Sequence, residues 1–383
     1  MFTTFLRWYK FLDFIGKDYP NYGVFLTVGE AETVTDLIVQ YKETDWAFAK
    51  RLVSRLNSFL VPDYVNGSGK YYFGMPKRND QKSIDSSTYT IYKDVGEYID
   101  KTGNGVNGLA ENDAVYYRVK DREIYDLGDN VSFQGESLMI HSIETYLEGN
   151  ELVHYYSLKS EAGFQTRELL NERIIGASLE GEIIEVKTDQ VKVHVKCDDT
   201  QEKAKEQANV KCDDTPEEAK AKEKATAKWF SFSTVYSSPD GTGWYFMPEE
   251  GDRVRLYFPG TAEQEGYVIS ATHLVSSDAN ARANPDNKSL KTKWGKEVLL
   301  TPDSIILSTN ENRMRIELSD QKGINIISDK EITIVSDKSI AIASLSEEVQ
   351  VTADKNINMK QGSTQLNLNK DVVFATSQLN VQN

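Results

Sequence analysis

The chain has 383 residues, with 44 Lys and Arg against 59 Asp and Glu, a formal charge of −15. That length accommodates two or three domains. The acidic balance argues against a nucleic-acid binder and against an anionic membrane surface as the resting partner, because basic side chains drive both kinds of binding. No stretch approaches the ~20 consecutive apolar residues of a membrane helix. Two cysteines fit a reducing compartment and set no disulfide framework. The opening MFTTFLRWYKFLDF has no charged n-region, apolar run and small-residue cleavage site in signal-peptide order. The expectation is synthesis in the cytoplasm without a signal peptide, with exit only by lysis or inside a larger particle.

In chain order, Thr33 to Tyr41 reads as a strand. A helix is predicted from Asp45 to Leu60, where Phe48, Leu52, Val53, Leu56, Phe59 and Leu60 recur at helical spacing. Asp45 is the expected cap and Pro62 the expected stop. From Lys70 to about Phe164 the pattern is β with long polar loops. Candidate strands are Tyr71–Phe73, Ala114–Val119, Val131–Phe133, Leu138–Ile140 and Leu152–Leu158, with turns at Gly128-Asp129 and Gly149-Asn150. A compact β-barrel with one helix is expected over residues 1–170.

Residues 171–275 form a second β unit. Its short strands, such as Gly181–Val186, Gln190–Val195, Trp229–Phe232 and Arg253–Phe258, predict a small Greek-key barrel of OB type. An insertion, 196–228, interrupts it. There Val195-Lys196-Cys197-Asp198-Asp199-Thr200 returns as Val210-Lys211-Cys212-Asp213-Asp214-Thr215, each copy followed by an Ala/Glu/Lys-rich run. A charged, protruding helical arm is the expectation. Residues 276–300 read as a linker.

Residues 301–383 are an internal repeat. Pairs of alternating apolar residues begin at Ile316, Ile324, Ile332, Ile340, Val349, Ile357 and Leu366, a spacing of eight or nine. Ser-Asp-Lys corners at 328–330 and 336–338 and an Ala-Asp-Lys corner at 353–355 separate some of them, with aspartate expected to supply the turn chemistry. One such unit offers two inward side chains and is not stable alone. The units must stack, with one chain coiled on itself or three chains wound together. A stiff, mechanical part follows from that pattern.

Catalytic chemistry finds little support. His141, His154, His194 and His273 lie in or beside strand patterns and read as barrel residues. His194, Cys197 and Cys212 offer a weak zinc pattern. No Ser/His/Asp order, phosphate-cradling glycine loop or His-Glu-x-x-His motif is present. Trp229, Phe230, Trp244, Tyr245 and Phe246 read as core aromatics, with no basic residues interleaved before Arg253 and Arg255. No catalytic, cofactor-binding or metal-ligating residue is therefore expected, and no cofactor.

Gln40-Tyr41-Lys42-Glu43-Thr44-Asp45-Trp46-Ala47-Phe48 resembles a signature of VgrG-type and phage baseplate hub–spike proteins, the late control D-like hubs. Glu151–Leu158 looks like the last strand of their hub barrel. Gly243-Trp244-Tyr245-Phe246-Met247-Pro248-Glu249-Glu250-Gly251-Asp252-Arg253-Val254 is similar to their OB segment, and Pro285–Lys288 with the β-ladder matches their linker and spike. The resemblance implies a non-enzymatic homotrimer at the centre of a contractile tail, tailocin or injection system. In it, 1–170 is the hub on a sixfold tube, 171–275 an OB collar, and 301–383 a triangular β-prism, or β-helix, intertwined from three chains that punctures the target cell envelope. Implied partners are tail-tube and baseplate proteins and a separate small PAAR-like tip protein. The chain departs from the family pattern in three ways. Only 39 residues precede Gln40 where a further barrel is usual, no lysozyme-like domain lies between collar and spike, and the 196–228 arm is unusual. The end, Gln378–Asn383, has no His-x-His for a tip metal, which predicts a blunt tip. The rival readings are a trimeric β-helix polysaccharide depolymerase or cell-wall hydrolase, and a receptor-binding adhesin.

Overall fold

The computed structural model describes residues 6–8, 12, 16, 19, 21–34, 36–64, 69–76, 78, 81–196, 227–271, 273, 282–309 and 312–368. The expected arm lies outside them apart from Lys196, Ala227 and Lys228, as do Cys197, Cys212, the first part of the linker and the predicted blunt tip. The chain is mainly β and divides into two compact units, Met1–Val275 and Ser276–Asn383.

Among the described residues the first unit contains three cores. In the first, β1 (Leu6–Arg7) pairs with β3 (Thr33–Val34), and β2 (Gly23–Leu26) runs parallel to β5 (Lys70–Phe73), whose other edge takes β4 (Leu60–Pro62). Helix α1 (Asp45–Ser54) packs Phe48, Ala49, Leu52 and Val53 against Trp8, Leu12, Ile38 and Phe73. Thr44, not the expected Asp45, is its cap, with Oγ1 accepting from the Ala47 N–H at 3.2 Å. The helix also stops short of Leu60. Asn57 adopts φ 51° and its N–H donates to Ser54 O at 2.9 Å, which turns the chain out of the helix. Leu56 and Leu60 still reach the core, and Phe59 stacks on Phe164, so their helical spacing marks burial without marking helix.

The second core lies under a six-stranded sheet in the order β6 (Gln81–Ser83), β9 (Asn130–Phe133), β10 (Glu136–Glu148), β11 (Glu151–Lys159), β8 (Val115–Asp121), β7 (Tyr89–Lys93). All pairs are antiparallel except β6 with β9. It is a half-barrel, its edge strands β6 and β7 unpaired with each other among the described residues. Val119, Val131, Phe133, Ile140, Tyr156 and Leu158 fill its concave side. A second helix, α2 (Val95–Gly103), stands where strands and polar loops are expected. Asp94 caps it by accepting from the Glu97 N–H at 2.8 Å.

The third core belongs to a closed five-stranded barrel in the order β14 (Trp229–Ser231), β13 (Gln190–Val195), β12 (Ser178–Lys187), β15 (Arg253–Tyr257), β16 (Tyr267–Ile269). A Phe232–Val268 bridge joins its two edges. Leu37 and Val39 are part of this core, whereas Ile38 between them belongs to the helix core. The alternation expected of a strand over Thr33–Tyr41 is real, but past Val34 it serves two cores instead of a sheet.

In the second unit, β17 (Lys288–Lys291), β18 (Glu297–Leu300), β19 (Ser304–Thr309), β20 (Met314–Ser319) and β21 (Gly323–Ile327) form an antiparallel meander. β22 (Ile357–Gln361) and β23 (Thr364–Leu368) form a hairpin. The meander starts within the expected linker, and its strands pair within one chain.

Candidate functional site

The register of the second unit sorts its side chains by face. Directly opposed residues in an antiparallel sheet share a face, as do alternate residues of a strand. Leu290, Val298, Leu307, Ile316 and Ile326 form one cross-strand row. Leu300, Ile305, Leu318 and Ile324 form the next row on the same face. The reverse face carries Ser308, Arg315, Glu317 and Asn325 beside Leu299 and Ile306, and Arg315 pairs with Glu317 at 3.3 Å. The apolar face is the open one: Ile324 is 72% exposed and Ile326 57%.

The same alternation continues past the meander without a partner. Between Ile327 and Ile357 no strand ladder forms among the described residues. Ile334 is 69% exposed, Ile342 76% and Val351 63%. The corners here are fixed locally. Ser328 Oγ accepts from the Lys330 N–H at 3.0 Å, and Ser336 Oγ from the Lys338 N–H at 3.3 Å. Serine, where aspartate is expected, therefore shapes the Ser-Asp-Lys turn. The 328–356 stretch is pre-shaped, apolar on alternate positions, and without strand pairing for its backbone among the described residues. An exposed edge of that kind templates pairing with another chain, and a contiguous apolar face of this extent marks an interaction surface.

In the first unit a buried ionic cluster joins elements distant in the chain. Arg51 is buried and donates to Glu43 Oε1 at 2.7 Å, to Glu263 Oε1 at 3.1 Å and to Val39 O at 2.8 Å. Glu263, also buried, accepts from the Val39 N–H at 2.9 Å and from Arg55 at 2.7 Å. Burial alone depresses the Arg51 guanidinium, but the carboxylates of Glu43 and Glu263 outweigh it and raise its pKa above the ordinary value. Glu43 belongs to the Gln40–Phe48 segment singled out in sequence, and Arg51 lies three residues beyond it; Glu263 has no local pattern that marks it.

The histidines do not converge. His154 Nδ1 lies 2.8 Å from Thr145 Oγ1, on the outward part of the β10–β11 hairpin. His141 contacts the Phe164 ring and keeps one side in solvent. The protein crowded around its ring, with the Lys159 ammonium beside it, pushes its pKa down to about 4. His194 faces Glu182 across β12 and β13. Among the described residues no three His, Cys, Asp or Glu side chains are grouped to hold a metal. Trp244, Tyr245 and Phe246, read from sequence as core, are instead exposed on the loop before β15.

No protein-family model matches the sequence, and no curated protein matches it. Solved structures do resemble it. One is the E. coli c3393 protein, described as a component of the type VI secretion system with structural similarity to T4 bacteriophage tail proteins gp27 and gp5. It is 11% identical, with a TM-score of 0.41 over 69% of this chain and 71% of that one. The half-lidded Francisella PdpA–VgrG complex is 10% identical, with a TM-score of 0.43 over 85% of this chain and 68% of that one. Its lidded form is 10% identical, with a TM-score of 0.37 over 73% and 56%.

Proposed function

We propose that the chain is a structural hub–spike of a contractile tail or injection baseplate and works as a homotrimer. Residues 1–170 serve as the hub, 171–275 as a collar, and 301–383 together with the meander strands β17 and β18 as the spike, which shortens the linker expected over 276–300 to the part before β17. The observation that carries this reading is the two-row apolar face of the meander, continued by the unpaired alternation of Ile332, Ile334, Ile340, Ile342, Val349 and Val351. Three copies bring three such faces together around one axis. Each burial of an Ile or Leu contributes roughly 1.5–3 kcal/mol, and the 328–356 backbone gains strand partners from neighbouring copies.

A prism closed in this way is stiff, and sheath contraction supplies the force that drives it into the envelope. The hub adapts the threefold spike to a sixfold tube, and a separate small protein caps the tip. Multi-angle light scattering of the purified chain tests the reading. A trimer mass is expected, and a stable monomer over the micromolar range overturns it. A purified-wall assay addresses the hydrolase alternative: release of reducing ends by the trimer would replace the structural role with an enzymatic one.

A further inference from the structure

A cavity of about 370 Å³ opens between the start of α1 and strands β4 and β5. Its walls are aromatic. Trp46 and Tyr71 meet edge to face at 5.5 Å, and Tyr22 and Tyr71 at 5.9 Å, with Tyr19 also on the lining. Two carboxylates, Asp45 and Asp63, share the lining with one ammonium, Lys70. Asp45 is held in place from two sides. Gln40 Nε2 donates to its Oδ1 at 2.7 Å, and the Tyr19 hydroxyl to its Oδ2 at 2.6 Å. Tyr71 lies at the buried back of the cavity, while Trp46 is 41% exposed at its mouth.

This composition selects its ligand. Aromatic faces carry negative quadrupole charge and attract a cation within about 6 Å. They also cover an apolar stem, which a bare metal ion does not have. An anion meets two carboxylates against a single ammonium. The volume sits near the lower end of the roughly 300–1,000 Å³ range of ligand pockets, which suits one long side chain and not a large cofactor. The chain's charge of −15 favours a basic partner surface.

We propose that this cavity is a receptor for a single cationic side chain, arginine or lysine, carried by a partner protein. None of its residues has a part in the apolar face of the second unit.

The test titrates the full-length protein by calorimetry with a capped Gly-Arg-Gly peptide, the same peptide with citrulline for arginine, and tetramethylammonium. Citrulline keeps the shape and loses the charge. The arginine peptide is expected to bind at least about tenfold more tightly than the citrulline peptide, and Trp46→Leu to weaken it by about fivefold. Asp45→Asn, a shape-conserving change, is expected to weaken it as well, and stands in if the Trp46 variant fails to fold. Equal binding of the citrulline peptide, undiminished binding by both variants, or no binding of the arginine peptide overturns the proposal. Tetramethylammonium binding as tightly as the arginine peptide overturns it too, since that assigns the cavity to a free ammonium.

Discussion

Arg51 Nη1 donates to Glu263 Oε1 at 3.1 Å across 212 residues of chain. Both partners are buried, and the pair ties α1 to the segment leading into the last barrel strand. Removing one side of such a pair leaves a charge uncompensated in the interior. Arg51→Met should therefore lower stability by about 3–5 kcal/mol, read from urea unfolding of the intact protein. An unchanged midpoint would show the pair to be dispensable.

Glu97 joins two buried lysines, accepting from Lys101 at 2.6 Å and Lys159 at 2.8 Å. Burial raises its pKa, but the two ammonium groups outweigh that and leave it below the ordinary value of 4.5. With the folded value below the unfolded one, the stabilisation is complete above pH 4.5 and is lost as pH falls through the folded value. Glu97→Gln should flatten the acid limb of the stability curve and lower stability at neutral pH, where both lysines lose their counter-charge. Thermal melts from pH 3 to 7 on both proteins provide the comparison; parallel acid limbs would contradict it.

Leu307 and Ile316 face each other across β19 and β20 on the open apolar face. Leu307→Asp with Ile316→Asp should convert the proposed trimer to monomers while leaving the β17–β21 ladder intact. Hydrogen exchange gives the residue-level readout. Amides from 328 to 356 should be protected in the trimer and exchange at unprotected rates in the variant, whereas β20 amides stay slow in both. Fast exchange of 328–356 in the trimer would remove the interchain pairing.

Gly243 has φ 139°, and a Cβ there would meet Tyr236 O at 2.3 Å. The Trp244 N–H donates to that same oxygen at 2.8 Å, which closes the aromatic loop. Gly243→Ala should cost about 1 kcal/mol or more and release the loop, visible as reduced near-ultraviolet dichroism. Retention of the parental signal would mean the backbone absorbs the methyl group without moving.

Much of the fold was legible where a local rule acts alone. The alternation at Ile316 and Ile324 reads directly as strand, and Gly149-Asn150 as the hairpin turn, both with positive φ. Helix α2 was missed although Asp94 and Glu97 stand at capping spacing, because the tyrosine-rich surroundings favour β. Asn57 carried the signal for the end of α1, but the apolar period through Leu60 overrode it. The Glu43–Arg51–Glu263 knot was only half legible. Its carboxylate from the far end of the unit is one acidic residue among 59, and burial alone distinguishes it. The aromatic cavity rests on Trp46 and Tyr71, which are adjacent only after β5 folds beside α1.

The alternating burial of Leu37, Ile38 and Val39 bears on how this protein can be cut and recombined. A five-stranded barrel excised at residue 171 leaves behind two side chains of its own core and the Val39 amide that Glu263 accepts from. A graft of the barrel onto another scaffold must therefore carry the 36–43 segment with it, as a separate peptide or by circular permutation. Supplying that peptide in trans should rescue the solubility of the excised barrel, in the manner of a split protein reassembled from its halves.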